Sequence, residues 1–298
     1  MYLPISILAF ILNGIAVTTD KFLLVKVIPD PLFYVFYFSL VSFLAVLLLP
    51  FTHIPTREVL LLSSASTVLW TLGAHFMFKA LKVGQIERVI PVIGSVNPLI
   101  LFLIALASGT ILTNEIWGIL VLILGFIFLT LSAWKGKIQK DELLFEGLSA
   151  TLLALSYLIL RQAYLRENFI TVLVWSRFIL IPVAIVFLMV PLLRSKVIPS
   201  QSQGVSLIKK GGLLFIIGQV SAGISQLLIF FAISLANPAL VNSLQGIQYV
   251  FLFIAALLLS KKFPFIFKET YSKKVLLFKI FGILLIGLGL YTLAFSSG

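Results

Sequence analysis

Asn242, Gln245 and Tyr249 stand at i, i+3 and i+7 of an apolar segment, so on a helix they share one face, with Gln248 flanking it. Carboxamides and a phenol at this spacing recognise polar solutes rather than attack them. Such groups are costly inside a membrane and turn toward the protein interior. Interhelical hydrogen bonding that only holds a bundle together is the competing role. Gln219 and Gln226, seven residues apart, repeat the pattern on another apolar segment, and Trp70, Thr71 and His75 occupy a third. Aromatic walls with a few placed polar groups suit a small-molecule pocket. Trp70 also fits packing or an interfacial anchor, and His75 also fits a satisfied interhelical histidine.

Charges are sparse in the apolar runs. Asn13 and Asp20 share a face of the first run, and Asp20 sits beside Lys21, which suggests a local ion pair. Arg177, in VWSRFIL, lies well inside its run. It fits a substrate carboxylate or phosphate, backbone carbonyls, or snorkelling. No acidic residue falls at the centre of a run, so proton coupling has no support. There is no nucleotide-binding loop, no HExxH, no metal-ligand spacing around His75 and no cysteine. No cofactor is expected, and an enzyme is disfavoured.

These groups need elements to hold them, and composition says which. Hydrophobic residues make up 61% of the 298 positions and charged residues 11%, where a soluble domain averages about 25% charged. Most of the outer surface must therefore face lipid. Segments of about 20 apolar residues cross a bilayer as helices, which satisfy their own backbone hydrogen bonds. Ten qualify, near 3–24, 31–52, 57–80, 85–109, 113–134, 143–164, 168–193, 210–234, 238–260 and 275–296. The start, MYLPISILAF, reads as the first span rather than a removed signal peptide. The net charge of +12 suits short loops beside anionic lipid and gives no reason to expect nucleic acid. Residues 261–279, basic and aromatic, read as a charged loop or an interfacial segment.

The chain repeats. GILVLILGFIFL from Gly118 resembles GILLIGLGLYTL from Gly282, with Gly118 and Gly125 matching Gly282 and Gly289. Aligning the preceding spans puts Leu81 on Leu235, and Arg88, Pro91 and Ser95 on Asn242, Gln245 and Tyr249, which adds Ser95 to the candidate binding residues. Five spans per half, an odd number, predict an inverted repeat: 1–134 and 143–298 as two five-helix units around a midplane site. Pro91, Pro98 and Pro182 remove helix hydrogen bonds and can kink the fourth and seventh spans, and with Gly94 between the first two a bending fourth helix suits a gate.

At this point the chain resembles the drug/metabolite transporter superfamily, specifically the ten-span EamA-type proteins. The junction FKALKVGQIERVIPVIGSVNP at 78–98, its counterpart FFAISLANPALVNSLQ at 230–245 and the glycine-spaced fifth and tenth spans carry the resemblance, and Arg177 resembles an arginine of that family's seventh span. Glu115 is kept near the start of the fifth span, whereas the second half reads SKKFPFIFKE, and the ninth span has Leu252 opposite Pro98. The resemblance implies a multi-pass protein of a prokaryotic plasma (inner) membrane. It implies secondary or facilitative transport of small organic solutes, amino acids or other metabolites, by alternating access at a central cavity. It sets the fifth and tenth helices outside the pathway, where a homodimer is open. The expected partners are a small-molecule substrate and membrane lipids. The competing readings are an intramembrane enzyme and a non-transporting scaffold.

Charge predicts orientation. Loops after odd-numbered spans hold nearly all the Lys and Arg, whereas those after even-numbered spans hold only Arg57, Arg161 and Arg166. The odd loops are therefore expected in the cytoplasm and both termini outside, against the family's usual description.

Overall fold

The structure, a computed structural model, describes residues 1–27, 30–84, 86–110, 113–131, 140–198, 201–259 and 273–296. Among these residues there are helices and no strand. They are α1 (Tyr2–Lys26), α2 (Pro31–Ser42) running into a 3₁₀ segment (Phe43–Phe51), α3 (Arg57–Val83), α4 (Ile86–Ala107), α5 (Thr113–Leu131), α6 (Lys140–Tyr164), α7 (Phe169–Phe178), α8 (Leu180–Met189), α9 (Pro191–Val197), α10 (Gln201–Leu235), α11 (Pro238–Ser243), α12 (Gly246–Leu259) and α13 (Lys273–Ser296). Eight stretches are long and apolar enough to cross a membrane: Tyr2–Leu24, Pro31–Phe51, Arg57–Val83, Val89–Ala107, Lys140–Tyr164, Phe169–Met189, Gly211–Leu235 and Pro238–Leu258. The two other expected spans are helices with shorter apolar runs, Glu115–Phe128 and Leu277–Leu293. Parts of those two expected spans, and the loop at 261–272, lie outside the described residues.

Turn chemistry starts the helices where the sequence punctuates them. Asp30 and Asn237 accept from the backbone N–H groups of Leu32 and Ala239, each at 2.9 Å, with Pro31 and Pro238 at the first helical position. Asn168 caps α7 through Thr171 N–H at 2.9 Å. Beside that cap, the Asn168 backbone N–H holds the Glu167 carboxyl below its usual range. His53 bonds Glu167 at 2.8 Å and Arg166 bonds Glu58 at 2.9 Å, tying the α2–α3 connection to the α6–α7 turn.

Small residues set the long-range packing, because they let backbones approach where lipid offers no hydrophobic drive. α3 lies along α6, where Ser66 Oγ donates to the Ser156 carbonyl at 2.9 Å and Gly73 faces Leu153. α1 lies along α10, where Ser225 Oγ donates to the Ala9 carbonyl at 2.8 Å and Gly218 faces Thr19. α5 lies along α13. A Cβ on Gly118 would meet Leu293, one on Gly125 would meet the Gly282 carbonyl and Ile286, and one on Gly289 would meet Leu122. The repeated glycines thus stand at the contact between the two helices.

Two basic side chains seal helix ends. Lys21 donates to the carbonyls of Leu81 and Gly84 at the end of α3, and Arg161 donates to those of Ile233 and Ser234 at the end of α10. Each places positive charge on a helix C-terminus, where unpaired carbonyls concentrate negative charge. Lys21 is therefore spent on α3, and the local ion pair expected with Asp20 is not what holds it.

The ninth and seventh spans are interrupted, and only the seventh carries a proline expected to kink its span. α4 stays helical through Pro91 and Pro98, whereas the ninth span breaks at Leu244–Gln245 without a proline. There the N–H groups of Leu244, Gln245, Ile247 and Gln248 bond to carbonyls three residues back, a 3₁₀ tightening. Gly246 sits at the break against Phe126 and Ile286, with no room for a side chain. The seventh span also breaks, at Ile179, where Pro182 cannot donate to the Phe178 carbonyl.

Candidate functional site

The helices converge on a cavity of about 80 Å³. α1 contributes Asn13 and Asp20, α3 Trp70, α4 Asn97, α6 Tyr157, α10 Gln226, and the broken ninth span Asn242, Gln245 and Gln248. Phe10, Phe78, Ile90, Ile93 and Leu153 supply apolar wall. Among the described residues, neither α5 nor α13 contributes to the lining, consistent with a pair that braces the bundle from outside.

The polar groups are knitted across the molecule. Asn13 Nδ2 donates to Gln248 Oε1 at 3.1 Å, joining α1 to the break, and Asn242 Nδ2 donates to the Pro238 carbonyl at 2.9 Å. Tyr157 lines the same wall as Gln226 and Trp70. Asp20 Oδ1, Asn97 Oδ1, Gln226 Nε2 and Gln248 Nε2 are buried with no hydrogen-bond partner in the protein. Buried polar atoms in native structures are nearly always paired. Four around one cavity mark a surface suited to a polar guest, with two acceptors and two amide donors. Asp20 is only 5% exposed, and no basic side chain lines the cavity among the described residues. Asp20 is therefore the one carboxyl group among the described lining residues.

The expected residues divide. Trp70, Gln226, Asn242 and Gln245 line the cavity together. Tyr249 is one layer behind them. Its hydroxyl donates to the Ile90 carbonyl at 2.9 Å and occupies the place where a side chain on Gly94 would begin. Ser95 turns back on its own helix, donating to the Pro91 carbonyl at 2.6 Å. His75 packs against Phe76 and is not among the lining residues. Gln219 lines a separate lateral groove. The side chain of Arg88 lies outside the described residues.

Asn97 and Asp20 were underweighted. Ile90, Ile93 and Asn97 form an i, i+3, i+7 stripe on α4, the same spacing that marks Asn242, Gln245 and Tyr249. The cavity face of α4 thus lies two positions on from the aligned Arg88, Pro91 and Ser95. Asp20 follows Asn13 by seven residues, and its neighbour's charge hid it.

No protein-family model matches the chain, and no curated protein matches it. Among solved structures, one described only as "Crystal structure of protein" is similar over 98% of this chain and 98% of its own, with a TM-score of 0.64 and 16% sequence identity. At that identity the likeness is one of fold: the chain shares a complete helical architecture with that protein.

Proposed function

We propose that the chain is a secondary or facilitative transporter of small organic solutes, of the EamA-type design, working by alternating access at the central cavity in the plasma membrane of a prokaryote. The observation that carries this reading is the convergence of one carboxyl group and six carboxamides, drawn from α1, α4, α10 and the broken ninth span, on one buried cavity. An enzyme would need a nucleophile or paired acid and base at that point, and among the described lining residues Asp20 is the only carboxyl group, with no histidine, lysine or second carboxyl group beside it. A scaffold has no use for unpaired buried acceptors and donors.

The helix pairing supports two repeats. Counting spans in order, the third packs on the sixth and the first on the eighth, while the fifth packs on the tenth. Exchanging the halves maps the first two pairings onto each other and the last onto itself. The helix-end seals follow the same rule: Lys21 runs from the first span to the third, and Arg161 from the sixth to the eighth. In an inverted repeat these seals fall at opposite membrane faces, as alternating access requires.

Cavity chemistry narrows the solute. Asp20 Oδ1 and Asn97 Oδ1 accept from an ammonium group, Trp70 offers it an aromatic face, and the amide donors of Gln226 and Gln248 suit a carboxylate. A small amine-bearing metabolite such as an amino acid fits. About 80 Å³ is well below the roughly 300 Å³ at which drug-sized pockets begin, so a larger solute requires the walls to part. The test is counterflow of radiolabelled amino acids and simple amines in proteoliposomes of the purified protein. Saturable uptake above protein-free vesicles supports transport; its absence for every amine and amino acid tried, together with no thermal stabilisation by any of them, refutes it.

A further inference from the structure

Arg177 stands apart from the central cavity and has no acidic partner among the described residues. It is 5% exposed, its Nε donates to Ser176 Oγ at 3.1 Å, and its guanidinium lies 5.4 Å from the centre of the Phe230 ring. The hydroxyl of Tyr164, within electrostatic reach, is buried without a partner. Arg177 lines a groove of about 420 Å³ between the 3₁₀ end of the second span, α7 and α10. The lips of the groove are apolar and exposed, with Leu44 and Leu47 on one side and Val220 and Ile224 on the other. In a membrane these lips face lipid, so the groove opens sideways into the bilayer.

A charged arginine without a counter-ion is expensive there, and such residues reach toward the interface and draw polar groups in by local thinning. Its depth fits that behaviour. Arg177 lies eight residues past the start of α7, about 12 Å at 1.5 Å per residue. Its side chain leans back toward the helix N-terminus. Phe230, beneath the guanidinium, is five residues from the end of α10, or about 7–8 Å. One turn deeper, Gln226 also lines the groove, and its Nε2 is unpartnered. Deeper still is Gly223, where an added side chain would meet open space.

We infer that this groove binds an anionic phospholipid, with the phosphate on the Arg177 guanidinium, an ester carbonyl at the Gln226 amide and an acyl chain laid over Gly223. Charge complementarity selects the occupant. A zwitterionic lipid fills the groove equally well, but its own cation competes with Arg177 for the phosphate. The site stands whether or not the central cavity transports.

The test uses the purified full chain in detergent, titrated with phosphatidylglycerol, phosphatidylcholine of the same acyl chains, or oleate, and read by thermal unfolding. Wild type is expected to reach half-maximal stabilisation at about tenfold less phosphatidylglycerol than phosphatidylcholine. Arg177→Gln should bring the two together. Gly223→Leu, which fills the groove without touching the charge and has room to fold, should remove the phosphatidylglycerol effect, and it carries the test if Arg177→Gln does not fold. Equal response of wild type to both phospholipids overturns the inference. So does a preference that survives Gly223→Leu, or stabilisation by oleate with none by phosphatidylglycerol.

Discussion

The hydroxyl of Tyr249 fills the space above Gly94 and donates to the Ile90 carbonyl at 2.9 Å, so the ninth span locks onto the fourth one layer behind the cavity. Gly94 is required there by contact rather than by backbone freedom. Gly94→Ala should destabilise the protein by about 1–3 kcal/mol, as overpacking of a close contact does. Thermal unfolding measures this. Adding Tyr249→Phe, which removes the hydroxyl that the new methyl meets, should recover part of the loss; no recovery would place the strain elsewhere.

Asp20→Asn keeps the shape of the cavity and removes its carboxyl group. Uptake of amine-bearing solutes should show at least about a tenfold rise in half-saturating concentration, the scale of one lost charge-assisted hydrogen bond. Membrane insertion should be unchanged. Unaltered amine uptake by the variant would exclude Asp20 from recognition.

Gln245 lies at the break and lines the cavity, with its Cδ also close to Gly94. Gln245→Ala should weaken transport several-fold, with normal expression and membrane insertion. Wild-type kinetics would mean that the residue only packs.

The pairing of α5 with α13 is a matter of stability. Gly125→Leu, which drives a side chain into the Gly282 carbonyl and Ile286, should lower stability by about 1–3 kcal/mol. The half-saturating solute concentration of the surviving protein should stay at the wild-type value. A change in affinity without a change in stability would contradict a bracing role.

Charge bias and the usual description of the EamA-type proteins that the sequence resembles disagree about orientation, and a C-terminal fusion separates them. A reporter active only in the cytoplasm should be silent at the C-terminus, and one active only outside should work. The reverse result would mean that the loop charges do not govern insertion.

The helical membrane class was legible because apolar run length alone demands it. The glycines shared by α5 and α13 were legible for a different reason: their matching seven-residue spacing suits close backbone approach. The break at Leu244–Gln245 was not. Proline, the usual signal, points to the fourth and seventh spans, whereas here the interruption is imposed by tertiary packing around Gly246. Asp20 was hidden because adjacent opposite charges suggest a pair, and only the position of α3 reveals that Lys21 is engaged with carbonyls sixty and sixty-three residues away. Gln219 and Gln226 share a helix face, yet Gln219 lies in the groove while Gln226 lines both groove and cavity, a division that depends on neighbours rather than on spacing.

The two helix-end seals differ in kind. Lys21 offers a compact ammonium that exchanges readily between carbonyls and water, whereas Arg161 presents a planar fork that holds the Ile233 and Ser234 carbonyls at 2.8 and 2.6 Å together. If one seal must release while the other holds, their strengths set the resting occupancy of the two open forms. An inequality of about 1.4 kcal/mol leaves one form ten times more populated. Such a molecule has a preferred face at rest. In a transporter, that preference would shape which side captures solute faster at low concentration, while the gradients of the transported species would still decide the direction of net flux.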